Sequence, residues 1–381
     1  MNACPVCEGK LRPFLGPLEV PVFCNVLHAD VEAARAAARG RLELAICERC
    51  AMVVNAAFEE ELVAYGGGYE NALQFSAVFR EFAEAVAARL VERYDLHGAR
   101  VVEAGCGDGF FLDLLCAAGG NRGLGFDPSA EAAVRETANG GGYEIVEQHY
   151  GPGTASGEAQ LVCARHVLEH IADPRPFVAS MREASGDAVL YLEVPDAEYM
   201  LREHAFWDVI YEHCCYFSAT SMRALLEAES YEVLASEHGF GGQYLGVEAR
   251  PAAIASPRQP EGVAELLDLA AGFEAARAAE LARWNELLAG LDGRVAIWGA
   301  GSKGVTLAAQ LDDGAGKLAA AVDVNPRKRG LHLPVSGIEV LAPEDLAASP
   351  PDHVLVTNRN YLAEIEATLR SLGIDAKIWA P

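Results

Sequence analysis

Four groups of residues in this 381-residue chain have types and spacings that could do chemistry. The first is a set of paired thiols. CPVC supplies Cys4 and Cys7, and CERC supplies Cys47 and Cys50. Each C-x-x-C turn holds two sulfurs on one knuckle, and four thiolates make the tetrahedral set that Zn²⁺ prefers. Such a set fills the coordination sphere, so the expected ion is structural, a staple for a segment with little core of its own. Cys24 and His28 are spare donors outside this set. A redox role would call for one pair beside a βαβ unit rather than two pairs.

The second group is ARVVEAGCGDGFFLDLLCAAG, residues 99–119, which reads strand, glycine loop, helix. Glu103, Gly105, Gly107 and Gly109 follow at every second residue. The glycines let the backbone turn tightly and approach a ligand, and the helix start offers unpaired N–H groups to a carboxylate. The next strand, NRGLGFD, ends in Asp127, an acid placed to bind the two hydroxyls of a ribose. The third group is histidine-rich. LVCARHVLEHIADP, residues 161–174, holds His166 and His170, and YEHCCYFS, residues 211–218, holds Tyr211, Glu212 and His213. A histidine can act as a base at neutral pH, and Glu212 could hydrogen-bond one. Cys214 and Cys215 read as small buried residues.

The fourth group is RVAIWGAGSKGVTLAAQL, residues 294–311, in which Gly299, Gly301 and Gly304 match G-x-G-x-x-G, with Asp323 about twenty residues on. By itself this motif points to NAD. Lys303 inside the loop and Arg327, Lys328 and Arg329 beyond Asp323 suit a terminal phosphate or a substrate diphosphate better than a ribose diol.

Three units must position these residues. The cysteine pairs define a small module over 1–60. Alternating strands and helices over 61–250 make a Rossmann-like α/β unit, with LYLEVPD (190–196) as its fifth strand. RPAAIASPRQPEG (250–262) reads as a linker, a long helix follows, and a second α/β unit completes 251–381. The net charge of −25 repels phosphate backbones, so nucleic acid is not expected as a partner and a small molecule is. No signal segment or membrane-spanning run is apparent, and a cytoplasmic location is expected.

The spacing E-x-G-x-G-x-G with Asp127 resembles motif I of class I S-adenosylmethionine-dependent methyltransferases. The whole order of motifs, with HVLEHI, YEH-x-x-YFS and GAGSKG following the thiols, resembles the three-domain, zinc-containing sugar C-methyltransferases of deoxysugar biosynthesis. That resemblance implies S-adenosylmethionine as cofactor, bound by Glu103, Gly105, Gly107, Gly109, Asp127 and His166. It implies a structural Zn²⁺ and methylation of a carbon next to a ketone in a nucleotide-linked sugar. It places His213 as general base, with Glu212, His170, Tyr211 and an N-terminal tyrosine, Tyr69 or Tyr65, in the active site. Lys303 and Arg327 would meet the substrate. The sequence departs from the family at Gly242–Gln243, where G-G-S is usual, in the WGAGSKG loop, and in GLHLPVSGIEV. Methylation of O, N or C on another small metabolite, and an NAD(P)-dependent oxidoreductase using the second glycine loop, stand as alternatives.

Overall fold

The computed structural model describes residues 3–63, 68–151, 154, 159–253, 260–312 and 316–380. Three sheets organise it, as an α/β protein with a thiol-bearing N-terminal module. The first contains β1 (Leu11–Pro21), β2 (Arg39–Cys47), β3 (Val53–Asn55) and β10 (Cys215–Tyr216), in that order. Its fourth strand comes from YEHCCYFS: Cys215 pairs with Val54 and Tyr216 with Val53. The stretch expected to belong wholly to the central unit thus completes the sheet of the N-terminal one. Ser218 ends the segment by capping the helix Ala219–Ala228, exchanging hydrogen bonds with Ser221.

The central sheet has eight strands. These are β4 (Arg100–Ala104), β5 (Arg122–Phe126), β6 (Ala133–Glu136), β7 (Gly142–Val146), β8 (Leu161–Arg165), β9 (Val189–Pro195), β11 (Tyr231–Gly239) and β12 (Tyr244–Pro251). Their order is β11-β12-β9-β8-β4-β5-β7-β6. The five in the middle run parallel, and β6, β11 and β12 run antiparallel to their neighbours. β4 and β8 are buried almost throughout, as a strand covered on both faces by helices must be. Chain order reverses between β4 and β8, which opens a crevice at their carboxyl ends.

The long helix expected after residue 262 spans Val263–Gly290. It packs Phe273 edge-on against Phe14 of β1, with ring centroids 6.0 Å apart. Residues 254–259 of the expected linker lie outside the described residues. The third sheet is parallel throughout: β13 (Val295–Trp298), β14 (Leu318–Val322), β15 (Val340–Leu341), β16 (His353–Val356) and β17 (Lys377–Trp379), in the order β15-β14-β13-β16-β17. Its switch point falls between β13 and β16.

The central and C-terminal units are joined by paired side chains. Gln243 and Asn358, both buried, exchange two amide hydrogen bonds of 2.8 and 2.9 Å. This gives the Gly242–Gln243 departure a structural role, because an amide presents a donor and an acceptor on separate atoms that match those of Asn358. Glu364 accepts from Ser76 Oγ at 2.6 Å and from the Ala77 backbone at 2.9 Å. Among the described residues, no helix is long and apolar enough to cross a membrane.

Candidate active site

A cavity of about 240 Å³ lies where the two switch points face one another. His166 and His170 follow β8, Pro195 ends β9, Gly299 follows β13, and Thr357 and Asn358 follow β16; all of them line it. Asn25 and Tyr69 close it from the N-terminal module side, and His213 enters beside β10.

The Tyr69 hydroxyl donates to Glu212 Oε2 at 2.9 Å and accepts from Asn25 Nδ2 at 3.3 Å. Glu212 sits behind the tyrosine, fully buried, and its Oε1 accepts the Cys24 N–H at 2.6 Å. Burial pushes Glu212 above the usual carboxylate range, opposed by the charge of His170 and by these hydrogen bonds. The neighbouring Glu70 is tied to the C-terminal unit through Asn325 Nδ2 at 3.0 Å and Arg327 at 3.2 Å. Three parts of the chain therefore meet at one phenol. The other tyrosine considered, Tyr65, lies outside the described residues.

His213 and His170 stand with ring centroids 5.0 Å apart at 75°. His170 Nδ1 lies 3.1 Å from the backbone oxygen of Glu212. Burial, reinforced by His170, lowers the proton affinity of His213 well below that of free histidine. The Glu212 carboxylate turns to Tyr69 and Cys24 rather than to its sequence neighbour His213. Tyr211 is also displaced from the site. It is fully buried in the N-terminal core, its hydroxyl accepting the Glu59 N–H at 2.9 Å and its ring filling the space beside Gly40.

The glycine loop after β4 turns through positive φ at Gly105 (+70°), Gly107 (+52°) and Gly109 (+84°). A Cβ at Gly105 would lie 2.3 Å from Val167, so the loop packs directly under the segment that follows β8. Asp127 accepts the Gly107 N–H at 3.0 Å and has no ion-pair partner among the described residues. Glu103 is buried at 3% exposure, and burial, partly offset by Arg165, raises its pKa to about 8. His166 has φ +53°, rare for a residue with a side chain, and lies between Glu169 (3.4 Å) and Glu193 (3.3 Å). Burial opposes its charge, but these two acids outweigh burial and hold it at about 9. Glu193 also takes two hydrogen bonds from the buried Arg165, at 2.9 and 2.6 Å.

In the C-terminal unit Lys303 lines the cavity and is ion-paired with Asp208. Arg327 is placed otherwise than expected. It lies over the Phe75 ring and holds Glu70, so it braces the Tyr69 loop. Lys328 is the residue of that basic run that reaches the cavity; it is 3% exposed, and its Nζ lies 3.4 Å from Asp323 Oδ2 and 3.2 Å from the Ala300 oxygen. Asp323 is thus paired with the Lys328 ammonium. Asn25, Glu169 and Asn358 were not singled out from sequence. Glu169 stood in view between two histidines, whereas nothing local marks Asn25 or Asn358.

At the far end of the first sheet, Cys4, Cys7, Cys47 and Cys50 bring their sulfurs together, with neighbouring pairs 3.3–3.6 Å apart. Tetrahedral Zn–S bonds of about 2.3 Å set sulfurs about 3.8 Å apart, so the cluster has the dimensions to hold zinc.

Two families match this chain. One is described as "Methyltransferase domain", over residues 77–236, and the other as "C-methyltransferase C-terminal domain", over residues 266–376. C-methyltransferase NovU of Streptomyces niveus is 29% identical over 354 residues, covering 85% of this chain and 81% of the relative. Solved structures with similarity include the magnesium protoporphyrin IX methyltransferase of Synechocystis PCC 6803 with bound SAH. It shows 18% identity, a TM-score of 0.37, and coverage of 49% of this chain and 91% of that one. The mitomycin 7-O-methyltransferase MmcR shows 20% identity, a TM-score of 0.35, and coverage of 45% and 54%.

Residues 77–236 of the chain carry a methyltransferase domain. More particularly, its C-terminal match and its curated relative are those of C-methyltransferases.

Proposed function

We propose that this protein methylates a carbon next to a ketone in a nucleotide-linked keto-sugar. The observation that carries the reading is the Tyr69 hydroxyl, backed by the Glu212 carboxylate, facing the same cavity as Lys328 and the second glycine loop. A C–H beside a carbonyl needs a positioned base, and the enolate needs donors. Tyr69 oxygen takes the carbon's proton while its own proton passes to Glu212 Oε2. The base role expected for His213 thereby moves to a pair with a hydrogen-bonded path for the proton. His170 and His213 line the same cavity and would face the carbonyl oxygen.

S-adenosylmethionine supplies an electrophilic methyl group on a sulfonium. Gly105, Gly107 and Gly109 would admit it closely, Asp127 would take the ribose hydroxyls, and Glu103 and His166 would flank it. The Lys328 ammonium and the open backbone at Gly301 suit a diphosphate, with the sugar reaching back toward Tyr69. A zinc ion at the four thiols would hold the first sheet together and, through β10, fix His213.

The test is methyl transfer from isotope-labelled S-adenosylmethionine to a 4-keto sugar nucleotide, with the product read by carbon NMR. A new methyl on carbon supports the reading. Label on oxygen or nitrogen, or turnover only with substrates lacking a nucleotide, refutes it.

A further inference from the structure

Beyond these roles, we infer that Glu169, His170 and His213 form a second metal site, one that takes a divalent transition ion facing the substrate cavity. The three residues come from two separate parts of the chain: the turn after β8 and the segment entering β10. Each offers one ligand atom, and the three atoms lie within 4.8 Å of one another. All three residues line the cavity.

Two of the donor residues carry a buried polar atom without a partner. Glu169 is 2% exposed, and its Oε2 has no hydrogen-bond partner. His213 Nδ1 is likewise buried and unpartnered. A buried carboxylate oxygen left without a donor costs stability unless something else satisfies it. The outer contacts are already in place. Glu169 Oε1 lies 3.4 Å from His166 Nδ1, and His166 in turn meets Glu193. His170 Nδ1 sits against the Glu212 backbone oxygen at 3.1 Å. Metal-binding residues are oriented by outer partners of this kind.

Two imidazoles and one carboxylate on one side of an ion favour zinc, cobalt, iron or manganese over magnesium, and leave positions open toward the cavity. The chemistry follows from the proposed reaction, on which this part rests. An ion there would face the keto oxygen and draw off the charge that develops as the neighbouring C–H bond breaks. The proton still goes to Tyr69 and Glu212, and the new carbon–carbon bond still forms as the methyl–sulfur bond breaks.

The test counts metal rather than turnover. The full chain is stripped with chelator, reloaded with zinc buffered by nitrilotriacetate, and counted by mass spectrometry. The expected count is about two ions per chain, falling to about one in Glu169→Gln and in His170→Ala. Calorimetry with S-adenosylhomocysteine and circular dichroism check that both variants are folded. Reloading with Co²⁺ identifies the ion that remains, because thiolate charge-transfer absorption reports the cysteine cluster alone. If the unsubstituted protein binds one ion and shows that absorption, or binds none, the proposal is overturned whatever the variants do. A second ion that survives both substitutions overturns it equally. Failure of the sugar reading would leave these counts unchanged, so the two outcomes are distinguishable.

Discussion

The Tyr69 hydroxyl donates a 2.9 Å hydrogen bond to the carboxylate of Glu212, a residue 143 positions later in the chain. Around this contact the Tyr69 loop meets the N-terminal module at Asn25, the segment after the central sheet's fifth parallel strand at Glu212, and the C-terminal unit through Glu70. Its loss should fall on the chemical step. Tyr69→Phe and Glu212→Gln are each expected to lower kcat about 10²- to 10⁴-fold, with binding of S-adenosylhomocysteine unchanged. The double substitution should cost little more than either single one, because both remove one proton path. Steady-state kinetics beside calorimetry decide this, and additive losses would separate the two residues.

Asp127 has no cation beside it among the described residues and reaches the glycine loop through Gly107. Asp127→Ala is expected to weaken S-adenosylmethionine binding about tenfold to a hundredfold, the worth of hydrogen bonds to a charged group. The KM for the sugar substrate should stay near its original value. Isothermal titration for the cofactor and initial rates for the substrate read the two effects separately.

Lys328 is the cation of its basic run that the fold carries into the cavity, whereas Arg327 braces the tyrosine loop. Lys328→Met should raise KM for a sugar nucleotide about tenfold or more, the scale of one charge-assisted hydrogen bond. It should have little effect on a substrate without the diphosphate. Comparing the two substrates on the folded variant checks this; equal losses on both would assign Lys328 to structure alone.

Glu248, 1% exposed on β12, accepts from Tyr94, Arg89 and Arg93 and so clamps the helix Ala77–Arg93 to the sheet. Burial alone would raise its pKa, but the hydrogen bonds from Tyr94 and Arg93 and the charge of Arg89 outweigh it and lower the value. A carboxylate lowered on folding stabilises the protein above its unfolded pKa of about 4.3, and that stability is lost as pH falls through the folded value. Glu248→Gln should cost about 1–2 kcal/mol at pH 7 by weakening these charge-assisted hydrogen bonds, Arg89 and Arg93 keeping Glu237 as a partner. It should also flatten the acid limb of stability, as read by urea unfolding at pH 7 and pH 4.

The thiol cluster and the active site share a sheet, since β10 pairs with β3 beside His213. Cys47→Ser is therefore expected to speed hydrogen exchange in β2 and β3 and to lower turnover together. The central sheet, built on separate strands, should keep its protection and its cofactor affinity. Exchange mass spectrometry with matched rate measurements tests whether the two effects travel together.

Much of the architecture was legible in the chain itself, because its signals are local. A strand, glycines at alternate positions and a helix specify a nucleotide-type turn within about twenty residues, and Asp127 follows at the next strand end. The cysteine pairs and the long helix Val263–Gly290 are read the same way, from spacing and periodicity. The tertiary structure decided what depends on contacts between distant residues. It sent Tyr211 into the core while Glu212 beside it turned to Tyr69, a choice made by packing against Gly40 and Phe58. It brought Lys328 inward and left Arg327 outside, although the two are adjacent. It set Glu169 against His213, from two loops that no periodicity relates. Local pattern fixes which way an element runs; which of two adjacent side chains faces the cavity is settled only when the neighbouring elements fill the other side.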